Sequence, residues 1–293
     1  MKSIETTMNP QPIRFAAVGD VHGHLLRMVE LVAAREHELS IRVDFVLQTG
    51  DFEPIRHETD LATMSVPQKY RQMGDFAEFF SGRQQFPWPV HFIGGNHEPY
   101  GFLDLTPEGA CLAKNCHYLG RTGCVELGRL RLAGISGVYS ESHYQEQRPS
   151  VTKVADTSKK LYTYFNDDDL SKLMACEKPD ILLMHDWPSG IIADQDQALF
   201  GRELNSARHA AIGNDHLRTL VELLGPRLVL CGHMHRAYSS TIMLDDGSSC
   251  TVRCLPEIDA GIEAVAVFET GVDGTISELT KCPAHPLRAA LDF

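Results

Sequence analysis

Five short stretches of this chain place carboxylate, imidazole and amide groups where they could meet. They are Asp20 and His22 in GDVHG, Asp51 in TGDFE, Asn96 and His97 in GGNHE, His185 in MHDWP, and His233 and His235 in CGHMH. Two carboxylates, one amide oxygen and four imidazoles are a donor set for a pair of divalent transition metals. That count leaves His97 over. Neighbouring side chains at a strand end point in different directions, so Asn96 can bind a metal while His97 faces elsewhere. The adjoining glycines let the backbone turn sharply and approach closely. The other nine histidines (His24, His37, His57, His91, His117, His143, His209, His216, His285) are expected to be ordinary core or surface residues.

These groups are far apart in sequence, so the elements that carry them must bring them together. Each follows a short apolar run: IRFAAVGD, VDFVLQTGD, VHFIGGNHE, ILLMHDWP and LVLCGHMH, with LRLAGISG between the third and fourth. Near-continuous apolar runs of this length predict strands buried on both faces with helices packed over them. Ligands in open α/β sheets sit outside the carboxyl ends of the strands, where these residues fall. Helices are expected over Leu25–Glu38, Lys69–Ser81 and Asp215–Leu224. The later runs Tyr238–Leu244, Thr251–Leu255 and Ala264–Glu269 read as an antiparallel meander. The sequence predicts an α/β protein: a polar, frayed tail over 1–11, then a single domain over 12–293. A polar, tyrosine-bearing segment near 139–180 reads either as a recognition-type insertion or as a solvated loop.

Composition narrows the partners. A formal net charge of -12 opposes a long polyanion such as duplex DNA and suits a small or short phosphorylated ligand. The eight cysteines form no CxxC pair and read as free, mostly buried thiols in a reducing compartment, with disulfides the alternative. The N-terminal MKSIETTMNPQP has no apolar h-region, and no stretch approaches a membrane span. A soluble, cytoplasmic protein is expected.

In their order DxH, GD, GNHE, a lone His and GHxH, the five stretches resemble the calcineurin-like metallophosphoesterases. The resemblance implies that fold: a β-sandwich of mixed sheets flanked by helices, with metals at the strand ends. It implies one metal on Asp20, His22, Asp51 and His235 and a second on Asp51, Asn96, His185 and His233, with Asp51 as bridge. Two metals about 3.5–4 Å apart can share a bridging hydroxide and clamp the oxygens of an in-line phosphoryl displacement. His97 then becomes the candidate general acid, beside Asp51 in the catalytic set. Glu98 and Asp186 are candidates to orient ligands, with turn capping the alternative for Asp186.

Beyond the ligands, GDFEPIRHETDL, VPQKY, FIGGNHE, YLG, GISG, HDWPSG and CLP look like the lariat-debranching enzymes, which hydrolyse the 2′,5′-phosphodiester at intron branch points. This similarity runs from about Ile13 to beyond Pro256. It implies a two-metal phosphodiesterase acting on short or branched RNA. Arg56, Lys69, Tyr162 and Tyr164 are candidate substrate contacts, with Arg71 and Phe165 further candidates beside them. Three departures stand out. Asp20 replaces a Cys typical of those enzymes, so two occupied sites are expected, with manganese, iron or zinc. Asp167, Asp168 and Asp169 follow Lys159 and Lys160 where that family usually carries basic residues, and they fit a helix start. A C-terminal extension like that of the eukaryotic enzymes is not expected. A phosphodiesterase or phosphatase of small nucleotides is the enzymatic alternative. A non-catalytic metal-binding scaffold is the alternative from another class, although no ligand is lost.

Overall fold

A computed structural model describes residues 11–200 and 212–280. All of the expected 1–11 tail except Gln11 therefore lies outside the described residues. A seven-stranded sheet has the order β13 (Ile276–Glu278), β12 (Val265–Thr270), β1 (Arg14–Val18), β2 (Phe45–Gln48), β3 (Val90–Phe92), β5 (Cys116–Tyr118), β4 (Ala110–Ala113), and a six-stranded sheet has the order β10 (Tyr238–Met243), β11 (Ser249–Cys254), β9 (Leu228–Cys231), β8 (Ile181–Met184), β7 (Leu130–Ile135), β6 (Thr122–Leu127). Three parallel strands form the centre of the first: β1 (Arg14–Val18), β2 (Phe45–Gln48) and β3 (Val90–Phe92). In the second, β7 (Leu130–Ile135), β8 (Ile181–Met184) and β9 (Leu228–Cys231) run parallel.

Side-chain alternation makes the layers. Phe15 and Ala17 of β1 pack with Leu132, Leu183 and Leu230 of the other sheet, closing a sandwich. Ala16 and Val18 face outward, where helix α1 (Leu25–Leu39) covers them with Leu25, Met28 and Val32. On the opposite side, Leu182, Met184 and Val229 are covered by Leu173 and by Leu217, Leu220 and Val221. The molecule is thus a β-sandwich of mixed sheets flanked by helices, and its strands are buried on both faces, as the apolar runs predicted.

Local signals set several boundaries. Asn214 caps the helix Asp215–Leu224 by accepting from Leu217 N–H, and Gly225 ends it at φ 55. Asp167, Asp168 and Asp169 open the helix Asp167–Met174, and Asp169 completes a capping box with Asn166. They belong to that helix start, where negative charge is favourable.

Three expectations fail. The segment Lys69–Ser81 is not one helix but a 3-10 turn, Gln68–Tyr70, and a short helix, Phe76–Phe80. Between them Gly74 lies so close to Gly23 that an added Cβ would meet its carbonyl oxygen at 2.5 Å, and Asp75 N–H donates to Gly23 O at 2.9 Å. Packing against the Asp20–His22 turn overrides the local helical pattern. The meander is also incomplete: Tyr238–Met243 and Ser249–Cys254 pair antiparallel in one sheet, but Val265–Thr270 crosses over to pair with β1 in the other. Alternation specifies a strand and its faces, not its neighbour. Finally, Cys124 and Cys176 form a disulfide across 52 residues, joining an edge strand to the end of the helix Asp167–Met174. Cys111, Cys116, Cys231, Cys250 and Cys254 are free, and Cys282 lies outside the described residues. Pairing of two distant thiols on neighbouring elements leaves no local trace in sequence. No described helix is long and apolar enough to cross a membrane.

Candidate metal centre and its surroundings

The carboxyl ends of the parallel strands of both sheets meet at one edge of the sandwich. Asp20, His22, Asp51 and His235 each offer a ligand atom, all within 4.8 Å of one another. His22 Nε2 and His235 Nε2 face each other at 3.3 Å, and His235 Nε2 is 3.1 Å from Asp20 Oδ2. On the other side of Asp51, His185 Nε2 lies 3.5 Å from Asp51 Oδ2 and 3.2 Å from Asn96 Oδ1. The His233 ring is 5.0 Å from that of His185. His97 stands beside the group, its ring 5.1 Å from that of His22, and its backbone N–H donates to Asp51 Oδ1 at 2.8 Å.

The backbone is bent to achieve this. His22, Asp51, Glu53, His233 and His235 all have positive φ, a conformation non-glycine residues adopt only where surroundings over-determine it. A Cβ on Gly95 would lie 2.2 Å from Asp51 Oδ1, so only glycine lets the GNHE turn approach that carboxylate. Buried Glu98 ties the turns together, accepting from the N–H groups of Phe52, Glu53 and Gly95. Burial and the charge of Asp51 push its carboxyl up to about 7. Asp186 is a cross-link as well as a cap: it accepts from its neighbour Trp187 N–H, from Tyr139 N–H and from Asn214 Nδ2. The indole of buried Trp187 donates to Gly232 O at 2.7 Å, fixing the turn that carries His233 and His235.

Electrostatics favours a cation here. Asp20 and Asp51 are buried, and their partners are imidazoles and backbone N–H groups. Burial alone would depress His22, but the Glu53 hydrogen bond and the charges of Asp51, Glu53 and Asp20 raise it to about 9. Burial opposes the charge on His185 too, yet Asp51 and Asp20 raise it to about 10. Asp51 is held well below the ordinary carboxylate range against its own burial, chiefly by His185. Burial lowers His233. Protonated imidazoles thus supply positive charge between the carboxylates of the metal-free protein. His185 Nδ1 is 2.9 Å from the carbonyl oxygen of Thr49, which it can reach only as a donor, so Nε2 is turned toward Asp51 and Asn96. Paired carboxylates, an amide oxygen and convergent imidazole nitrogens fit divalent transition metals.

The candidate substrate contacts divide. Tyr162 is fully buried in the core beneath the first sheet, its hydroxyl donating to Ser150 O at 3.0 Å. It offers no face for a base, which corrects its reading as a candidate substrate contact, because the 3-10 turn Lys159–Tyr162 directs it inward. Tyr162→Ala should cost stability, roughly 3–5 kcal/mol by analogy with other buried aromatics; denaturant unfolding checks this, and a loss below about 1 kcal/mol would contradict the packing. Phe165 is buried as well. Arg56 is held by a two-pronged pair with Asp60 and lies over the Phe102 ring at 3.6 Å, which gives it a packing role. Lys69 is exposed on its 3-10 turn. Tyr164 is half-buried and stacks on His143, with centroids 5.3 Å apart.

The 139–180 segment is fastened to two ligand-bearing turns. Gly137 N–H donates to Gly94 O, Val138 pairs with Tyr164, and Tyr139 N–H reaches Asp186. One residue at the site escaped the sequence reading. Glu53 follows Asp51 at the same i, i+2 spacing that separates Asp20 from His22 and His233 from His235, and its carboxylate lies among His22 and His97. That repeated spacing is the signal that could have found it.

Comparison with known proteins places this geometry. The family model described as calcineurin-like phosphoesterase matches residues 13–237. A lariat debranching enzyme from Arabidopsis thaliana is 33% identical over 257 residues, covering 83% of this chain and 61% of that protein. The Homo sapiens lariat debranching enzyme is 30% identical over 262 residues, covering 84% of this chain and 48% of that one. A Schizosaccharomyces pombe lariat debranching enzyme is 32% identical over 249 residues, covering 82% and 52%. The chain thus spans about half to three-fifths of the length of these relatives. One solved structure, 12% identical, aligns with a TM-score of 0.52 over 93% of this chain and 100% of its own, a likeness of fold alone. With the family model matching 225 of 293 residues, from 13 to 237, the chain belongs to the calcineurin-like phosphoesterase family.

Proposed function

We propose that this protein is a two-metal phosphodiesterase that opens the 2′,5′-phosphodiester of branched RNA. The observation that carries the hydrolytic part is the convergence of Asp20, His22, Asp51 and His235 at one edge, with Asn96, His185 and His233 on the far side of Asp51 and His97 beside them. The named relatives support the RNA part. In this reading Asp20, His22, Asp51 and His235 hold one metal, and Asp51, Asn96, His185 and His233 the other. Manganese, iron and zinc all suit the donors. Such a pair, once bound, supplies Lewis-acid activation of water and neutralises charge on the phosphoryl group.

The remaining roles belong to the chain. Asp51 fixes the His97 backbone through its N–H, so the imidazole is presented beside the metal group rather than into it. Burial opposes the charge on His97, but Glu53 and Asp51 raise its pKa, which suits a group that must carry a proton to the leaving oxygen at neutral pH. We read 12–293 as one domain. Within it the 139–180 segment recognises substrate, its anchoring to the GNHE and HDWP turns placing Tyr164 and His143 as the stacking candidates. A cytoplasmic setting belongs to the same reading: five of the described cysteines are free, which fits a reducing compartment, while the Cys124–Cys176 disulfide is the feature that opposes it.

The test is cleavage by manganese-reconstituted protein of a synthetic 2′,5′-branched RNA against its linear 3′,5′ counterpart. Selective release of the branch is the expected outcome. Hydrolysis of a generic phosphodiester with neither RNA cleaved would keep the chemistry and overturn the substrate. It would favour a small nucleotide or phosphorylated metabolite, the second reading supported by the net charge of -12.

A further inference from the structure

Buried among the strand-end turns is a carboxylate to which neither the ligand sets nor the acid role gives work. Glu53 is 6% exposed, and its φ of 54 puts a non-glycine residue in the left-handed region. That conformation is held from both sides: its N–H donates to Glu98 Oε2 at 2.8 Å, and its carbonyl accepts from Ile55 N–H at 2.8 Å. A strained backbone that buries a carboxylate costs free energy twice, once in conformation and once in desolvation. The side chain ends between two imidazoles. Oε1 is 3.0 Å from His22 Nδ1 and 3.7 Å from His97 Nδ1, and the two rings are tilted by 52° about it. The opposite nitrogen of His22 faces His235 and Asp20.

We infer that Glu53 is a positioning residue that aims two imidazoles at once. By accepting from Nδ1–H of His22, it leaves the Nε2 lone pair of that ring directed at the metal position. By attracting Nδ1–H of His97, it turns the Nε2 of that ring toward the substrate side. One carboxylate therefore sets the alignment of a metal ligand and of the proton donor together, so moving that carboxylate loosens both. This rests on the reading above, in which His22 holds a metal and His97 serves the substrate. Carboxylates or carbonyls behind metal-bound imidazoles commonly fix ring orientation, and their loss costs about 10–100-fold in affinity or activity.

Reach and charge are separable at this position. Glu53→Gln keeps an oxygen at the same reach, able to accept from Nδ1–H of His22 and to lie beside Nδ1–H of His97, but removes the charge. Glu53→Asp keeps the charge, tolerates positive φ, and withdraws the oxygens by one methylene. Full-length protein stripped with a chelator would be titrated with Mn²⁺ calorimetrically, with thermal melting followed in parallel. Turnover would be measured on an alkyl-leaving and a nitrophenyl-leaving phosphodiester.

The expected outcome is Mn²⁺ affinity within about 3-fold of wild type for Glu53→Gln and about 10–100-fold weaker for Glu53→Asp, with both variants melting in one cooperative transition like the wild type. Glu53→Asp should also lose kcat on the alkyl diester beyond its loss on the nitrophenyl diester, at unchanged KM, because His97 has lost its aim. Wild-type affinity and turnover in both variants would overturn the inference. So would a weak Gln variant beside a wild-type-like Asp variant, because Glu53 would then act through its charge. Failure of the wild type itself to bind Mn²⁺ would overturn the metal reading, and this inference with it.

Discussion

His97→Ala should bind its metals like the wild type and lose roughly 10²–10⁴-fold in turnover on a phosphodiester with a poor, alkyl leaving group. The separation of binding from turnover follows from the geometry. What His97 gives to the metal group is its backbone N–H, donated to Asp51 Oδ1, and alanine keeps it. What alanine removes is the imidazole, which lies outside the group formed by Asp20, His22, Asp51 and His235. A nitrophenolate leaves without help from an acid, so the loss on a nitrophenyl diester should be small. Steady-state rates on both substrates, with metal content measured on the same samples, check this. An unchanged rate on the alkyl diester would remove His97 from proton transfer. A variant that had also lost metal would mean that the ring supports the ligands.

The candidate metal site was legible in sequence because its donor groups are encoded locally. Each candidate ligand sits after an apolar run long enough to be a buried strand, and parallel strands deliver their carboxyl ends to one edge. Leu228–Cys231 followed by GHMH needed no tertiary information to be read as a strand with two ligands behind it. The helix Asp215–Leu224 was equally plain, with an Asn cap before it and a left-handed Gly after it. Features set by distant partners were not legible. The break in Lys69–Ser81 comes from Gly74 packing on Gly23. The transfer of Val265–Thr270 to the other sheet is decided by its antiparallel pairing with β1, in which Arg14 meets Glu269 and Val18 meets Val265, residues far apart in sequence. Tyr162 looked like a recognition residue because tyrosines in a polar segment often are, and only the inward turn of Lys159–Tyr162 makes it core. Glu53 does not stand out in sequence, because a carboxylate after GD reads as loop polarity and only the fold brings the rings of His22 and His97 to it.

Removing metal should make stability depend on pH in a direction that metal reverses. In the metal-free protein the folded His22 keeps its proton up to about 9 and His185 up to about 10, against an ordinary value of 6.5 for an unfolded imidazole. Below 6.5 both states carry these protons, and the attraction to Asp51, Asp20 and Glu53 contributes in full. Between 6.5 and 9–10 the folded state binds more protons than the unfolded one, so stability falls as pH rises, and above that window the contribution is gone. Asp51 acts at the acid end: its lowered pKa stabilises the fold above the ordinary 3.8, and that stabilisation is lost as pH falls through its folded value. For His22 the loss is on the order of 3 kcal/mol. His185 shares Asp51 with it, so the two do not simply add. A loss of that size corresponds to roughly 6–12 °C in melting temperature for a chain of this size class. Metal binding needs neutral imidazoles, so it releases these protons and strengthens as pH rises. With manganese in excess, melting temperature should therefore hold or climb across the window in which the chelator-treated protein declines, because a ligand of the native state stabilises in proportion to ln(1 + [L]/Kd). Thermal melts at pH 6.5, 8 and 9.5, with manganese and with chelator, give both slopes. Parallel slopes would mean that the imidazoles raised by Asp20, Asp51 and Glu53 are not the groups the metal displaces protons from, which would remove His22 and His185 from the ligand set.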